Sequence, residues 1–150
     1  MPVFVHSQVR RVVIQTAVVS RVVQKLLALI GETASEVSID FVGDARMRHL
    51  NRAYRRKDRT TDVLAFASRE AGGPHSPMLG DVVVSVPAAM RQAKELGHAL
   101  NQELARLLIH GLLHLVGYDH ERGIKEAQRM RRKEEKLFAA LKPLPNLVAC

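Results

Sequence analysis

With 150 residues, 47% of them hydrophobic and 25% charged, the chain has the size and composition of one globular domain. A single Cys excludes an internal disulfide, and 4% aromatic residues without Trp exclude a broad aromatic stacking platform. The net charge of +8 favours polyanionic partners, while Arg10, Arg11, Arg21, Gln24 and Lys25 interrupt the longest apolar stretch, residues 9–30, so it does not span a bilayer.

In chain order, Val3, Phe4 and Val5 predict a short strand. Apolar residues at Val9, Val13, Ala17, Val23, Leu27 and Ile30 predict a buried-face helix from Ser7 to Ile30, closed by Gly31. No acid precedes Glu32, which is also how an organelle transit peptide reads. Because the same residues read as strand and core helix, a cytoplasmic protein is expected. Val37, Ile39 and Phe41 alternate with Ser38 and Asp40, the period of a half-buried strand. Asp44 is placed to cap a helix with Met47, Leu50 and Tyr54 on one side and arginines on the other.

Residues 61–67 predict a further strand, and Ala71-Gly72-Gly73-Pro74-His75-Ser76-Pro77 a turn or loop. The run Val82-Val83-Val84 within residues 79–86 predicts a strand buried on both faces. Pro87 suits the first turn of a helix ending at Gly97, and Asn101 is placed to cap the next, which carries Leu104, Leu107, Leu108, His110 and His114. A charged helix follows from about Glu121 to Leu141, stopped by Pro143 and Pro145. With no repeat and no linker, residues 1–150 predict a single α+β domain. Its architecture is expected to be a small mixed four-stranded sheet covered by about five helices, with the histidine helix central.

The chemistry concentrates in His110-Gly111-Leu112-Leu113-His114-Leu115-Val116-Gly117-Tyr118-Asp119-His120. On a helix His110 and His114 stand one turn apart on one face, and Gly117 sits where the chain can reverse and return His120 to them. Three imidazoles with a fourth tetrahedral position open describe a catalytic zinc site, since a structural one is closed by four protein ligands. His6, His49, His75 and His98 lack such spacing and read as core or surface residues. Metzincin peptidases share the ligand spacing but place Glu after the first His as general base; here that residue is Gly111. Asp119 is positioned either to orient an imidazole or to act as a general base, and the sequence does not choose between the two.

Between Arg46 and Arg59 lie seven basic residues, Arg46, Arg48, Arg52, Arg55, Arg56, Lys57 and Arg59, against one acid, Asp58. Such a patch attracts phosphates through charge and counterion release. A metal that polarises a phosphoryl oxygen, beside arginines that stabilise developing negative charge, suits a phosphodiester substrate.

The histidine segment resembles the signature H-G-x-L-H-L-x-G-Y-D-H of the YbeY endoribonucleases, also called rRNA maturation factors. Residues 50–66, Leu50-Asn51-Arg52-Ala53-Tyr54-Arg55-Arg56-Lys57-Asp58-Arg59-Thr60-Thr61-Asp62-Val63-Leu64-Ala65-Phe66, are similar to that family's L-N-x-x-Y-R-x-K-D-x-P-T-D-V-L-S-F block, and Leu79-Gly80-Asp81-Val82 to its L-G-D-I strand entry. The resemblance implies a zinc-dependent, single-strand-specific endoribonuclease. Its expected role is maturation of ribosomal RNA at the small-subunit 3′ end, and ribosome quality control, with the small subunit as partner. It carries one zinc ion onto His110, His114 and His120, and the family's functional arginine onto Arg55. Thr60 stands where Pro is usual, Ala65 where Ser is and Ala67 where Pro is, which puts local substrate contacts in doubt but not the ligands.

The expectation is therefore a zinc hydrolase of single-stranded RNA in which Arg55 stabilises the reacting phosphate. Arg46, Arg52, Arg56, Lys57 and Arg59 follow the RNA backbone, and neither a membrane nor a small-molecule cofactor takes part. Its rivals are a non-catalytic ribosome-assembly protein in which zinc only staples the helix to its turn, and a metallopeptidase that finds its base elsewhere.

Overall fold

The structure, a computed structural model, describes residues 3–55, 61–68 and 77–149. Alternation builds its sheet. In β3 (Glu36–Val42), Val37, Ile39 and Phe41 are fully buried while Ser38 and Asp40 between them are half-buried. Strand β1 (Val3–Ser7) pairs with β3 in parallel, and β5 (Met78–Ser85) pairs in parallel on its other side. Strand β4 (Val63–Ala67) lies antiparallel to β5, so the order is β1-β3-β5-β4 and the sheet is mixed, as anticipated. The expected double burial of the Val82–Val84 run is met: Val82 and Val84 are inaccessible and Val83 is only 5% exposed.

Five α-helices are present among the described residues: α1 (Thr16–Leu29), α2 (Asp44–Arg55), α3 (Val86–Leu96), α4 (Leu100–Leu115) and α5 (Ile124–Ala140). Ser85 caps α3 by accepting the Ala88 N–H at 3.2 Å, Pro87 occupies its first turn, and Gly97 closes it. The Asp44 carboxylate accepts two hydrogen bonds from Arg91 at 2.9 and 3.1 Å, which ties the start of α2 to α3. Helix α4 is central: Leu104, Leu108, Leu112 and Leu113 are buried in the main core, and it packs on both β4 and β5.

Three expected boundaries differ. The first helix begins at Thr16 rather than Ser7, because β1 runs on to Ser7 and Val13–Ile14 form a short strand, β2. That strand pairs antiparallel with β6 (Val148–Ala149), a partner that local periodicity cannot reveal. Asn101 does not cap α4; Ala99 occupies that position. Instead the Asn101 side chain donates to the Pro145 carbonyl at 2.8 Å and accepts the Leu147 N–H at 2.6 Å, fastening the segment that leads to β6. The last helix starts at Ile124, behind a 3-10 turn at His120–Arg122. The turn and loop expected over residues 71–77 lie outside the described residues, except Pro77.

Gly111 lies where α4 comes closest to the sheet. A Cβ there would stand 2.6 Å from Cγ1 and 3.2 Å from Cγ2 of Val82, a β-branched residue with no exposed surface and little room to turn. Gly111→Ala is therefore an overpacking change, expected to cost about 1–3 kcal/mol of stability in denaturant unfolding. A cost near zero would mean that α4 does not press on β5 in solution.

On the opposite face, β3 and β5 present Asp40 and Asp81 to a groove that Tyr54, Phe66 and Arg46 also line. Burial raises the Asp81 pKa, the charge of Asp40 raises it further, and a hydrogen bond from Ser38 opposes both. A carboxyl that holds its proton more tightly folded than unfolded opposes folding once it ionises. Asp81→Asn should therefore raise stability at neutral pH. The gain should shrink as pH falls through the raised pKa towards the ordinary aspartate range, which unfolding midpoints at several pH values will show.

Candidate metal centre

The site is assembled by the end of α4 and the turn that follows. His110 and His114 share the face of α4 turned towards α2, one helical turn apart. The helix then stops in a two-bond reversal in which the Gly117 N–H donates to the His114 carbonyl at 3.2 Å and the Tyr118 N–H to the Leu113 carbonyl at 3.1 Å. Gly117 takes φ +104°, which a side chain would oppose. Tyr118 is held under the guanidinium of Arg129, whose carbon lies 4.6 Å from the ring centre. Asp119 Oδ1 accepts the Glu121 N–H at 2.9 Å and so caps the 3-10 turn that presents His120. The three histidines thereby line one open cavity of about 380 Å³ together with Tyr54, Arg55 and Asp119, while β4 forms its far wall.

The ring centres of His110 and His120 are 5.2 Å apart, with planes tilted by 56°. Two imidazoles bound tetrahedrally to one ion at metal–nitrogen distances of 2.0–2.1 Å have ring centres roughly 5 Å apart, so this pair has the right separation. Among the described residues no group of three or more His, Cys, Asp or Glu side chains is arranged to hold a metal ion as it stands. The third imidazole, His114, lines the same cavity. The donor set fits a zinc-type ion in its chemistry and in the spacing of this pair.

A residue outside the motif completes the arrangement. His110 Nδ1 lies 2.8 Å from Glu134 Oε2 on α5, and because an ionised carboxylate only accepts, Nδ1 carries the proton and donates. That leaves Nε2 as the free donor atom of the ring, the pattern in which a carboxylate fixes the tautomer of a ligating imidazole. The sequence offered no local sign of Glu134. It lies 24 residues from His110 within a helix where charged side chains are plentiful, and only the packing of α5 against α4 selects it.

The charges around the cavity divide the labour. The hydrogen bond from His110 to Glu134 raises the His110 pKa against the effect of burial. Burial lowers the His114 pKa, with Arg55, His110 and His120 adding repulsion and Asp119 opposing, so the neutral, electron-donating form is favoured. The backbone N–H of Glu121 holds the Asp119 carboxyl below the usual aspartate range, so it stays ionised and is a weak base. Its visible work is to fix the turn that carries His120.

The basic residues are not one surface. Arg55, the last residue of α2, lines the histidine cavity, whereas Arg46 lines the groove of Asp40 and Asp81 on the other side of α2. Arg52 is exposed on α2 and lines neither. Arg56, Lys57 and Arg59 lie outside the described residues. Of the remaining histidines, His98 meets the buried Glu103 carboxylate at 2.7 Å, a satisfied internal pair.

Comparison with known proteins shows the family. The family model described as Endoribonuclease YbeY matches residues 5–142. An Endoribonuclease YbeY of Pelotomaculum thermopropionicum is 47% identical over 94% of this chain and 97% of its own length. Another, from Geobacter metallireducens, is 42% identical over 94% of the chain and 96% of its own length. A solution structure of a Thermotoga maritima protein superposes with a TM-score of 0.62 over 96% of this chain and 94% of that one; at 21% identity it speaks for the fold. The chain belongs to the Endoribonuclease YbeY family.

Proposed function

We propose that this protein is a zinc-dependent endoribonuclease that cuts single-stranded RNA. Its place is the cytoplasm, where it matures the 3′ end of small-subunit ribosomal RNA and serves ribosome quality control. The observation that carries the reading is the meeting of His110, His114 and His120 with Arg55 in one open cavity. The endoribonuclease name of its relatives supports it, as does the chain's net charge of +8. Among the described residues, no helix is long and apolar enough to cross a membrane.

His110, His114 and His120 would hold the zinc ion, which supplies Lewis-acid polarisation of the scissile phosphate and a lowered pKa for attacking water. The chain's own residues do the rest. Glu134 holds His110 in the tautomer that leaves Nε2 free, and Asp119 holds the turn that returns His120. Arg55 brings a permanent positive charge to the cavity, placed to meet charge that grows on the phosphate oxygens in the transition state. At the position where a peptidase keeps its general base, Gly111 faces Val82 with no room for a longer side chain. That contact favours a phosphodiester over a peptide as substrate.

Metal-analysed protein incubated with a single-stranded RNA oligomer should cleave it internally, lose that activity when the metal is stripped, and regain it with zinc. Arg55→Ala should lower kcat by on the order of 100-fold, the usual effect of removing one transition-state donor. Full cleavage by verified metal-free protein or by the Arg55 variant would overturn the mechanism. Glu134→Gln keeps the size of the side chain but removes the charge that favours the correct imidazole tautomer. It should weaken zinc binding by about 10–100-fold, measured by competition with a chromophoric chelator.

A further inference from the structure

Beyond Glu134 the groove between α4 and α5 does not end. Moving along α4 away from the histidines, one turn takes His110 to Arg106; along α5 the same direction takes Glu134 to Phe138 and then Lys142. Between them lies an intermediate shallow cavity, which shares His110 with the histidine cavity and shares Arg106 and Glu134 with a second cavity of about 300 Å³. That second cavity is bordered by Arg106, Arg131, Lys142 and the ring of Phe138.

The cationic heads there are held by the aromatic ring. Arg106 stands with its guanidinium carbon 5.9 Å from the centre of the Phe138 ring, and Lys142 with its ammonium 5.6 Å from the same centre. None of Arg106, Arg131 and Lys142 forms an ion pair among the described residues. Two acids border the cavity: Glu134, which His110 already engages, and the exposed Glu135. The intermediate cavity has two further acids: Asp62, whose carboxylate is held in place by hydrogen bonds from Gln92 at 2.9 Å and from the Val63 N–H at 2.8 Å, and Glu103, which meets His98 at 2.7 Å. The result is a concave site with three cations outside any ion pair among the described residues, bordering the intermediate cavity and lying about 6 Å along the helix from a proposed ligand, at about 1.5 Å of rise per residue.

We propose that this α4–α5 cavity is a second phosphate-binding subsite, in which Arg106, Arg131 and Lys142 hold a backbone phosphate of the RNA strand flanking the one cleaved at the histidines. The proposal rests on the reading of the substrate as single-stranded RNA. Phe138 contributes by keeping two of the cations extended over its ring, so that less side-chain freedom is lost when the phosphate arrives. The subsite makes the enzyme favour strands that continue past the scissile bond on this side, and it gives the histidine cavity a direction along the strand.

The test uses the Arg131→Gln/Lys142→Gln double variant, which leaves His110, Glu134 and Arg55 in place. The probe is a non-cleavable 2′-O-methylated single-stranded oligonucleotide, with affinity measured across salt concentrations. The slope of log affinity against log salt should become shallower by about 0.7 for each phosphate contact removed. Arg21→Gln, an exposed cation on α1, should leave it unchanged. With cleavable RNA the variant should raise KM several-fold for long oligomers, keep kcat, and cut a dinucleotide like the parent.

An unchanged slope together with unchanged KM overturns the subsite, as does an equal fall in kcat on long and short substrates, which marks damage to the His110–Glu134 contact. If the parent protein binds the probe with the steeper slope yet cleaves no RNA, the cavity stands as a phosphate site and the endoribonuclease reading falls.

Discussion

The close approach of α4 to the sheet is the constraint on which the rest is built. Val82 of the central strand occupies the space where a side chain at residue 111 would stand. The helix therefore settles deep enough to bury Leu108, Leu112 and Leu113 completely. That seating presents His110 and His114 to the cavity edge rather than to the core, and sets the height at which α5 can bring Glu134 to His110. The residue that replaces a peptidase base is thus also a packing requirement. Helix depth is set at this one position, and in the proposed function so is the lack of a peptidase-type base.

Around that seat the polar groups work mostly as positioners. Asp119 spends its carboxylate on a turn, Glu134 on an imidazole proton, and Asp44 on joining α2 to α3 through Arg91. Among the described residues the cavity keeps one permanent cation, Arg55, at the end of a helix whose other face packs through Met47. Such a division suits chemistry in which a bound ion carries most of the electrostatic load and the protein supplies orientation.

Much of this was legible from the residues alone, for reasons that differ by element. All four sheet strands follow from alternation or from a continuous apolar run, because burial on one or both faces leaves that mark directly in the chain. Helix α3 was marked by Pro87 and Gly97, whose conformational preferences are strong and local. The histidine triplet was legible because helical spacing and a reversing glycine are both short-range. What escaped depends on distant partners. Val13 fits a helical stripe equally well, and only pairing with Ala149 makes it a strand. Asn101 looked like a cap until the segment at Pro145 and Leu147 supplied better partners. Glu134 is one acid among many on α5, and the separation of Arg46 from Arg55 appears only once α2 is laid across the sheet.

The β2–β6 clasp has a consequence for how the molecule assembles. Its strands, with the Gln15 to Asn146 hydrogen bond between them, join segments 131 residues apart. Closing so long a loop costs entropy that two short strands return only after the intervening core is in place. The clasp is therefore a late seal on a fold organised by α4 and the sheet. The residues that form the cavity, from Tyr54 to Glu121, and Glu134 behind His110 all lie inside the interval it closes. Opening the seal would loosen the approach to α1 and the tail beyond Lys142 while the histidine cavity kept its walls.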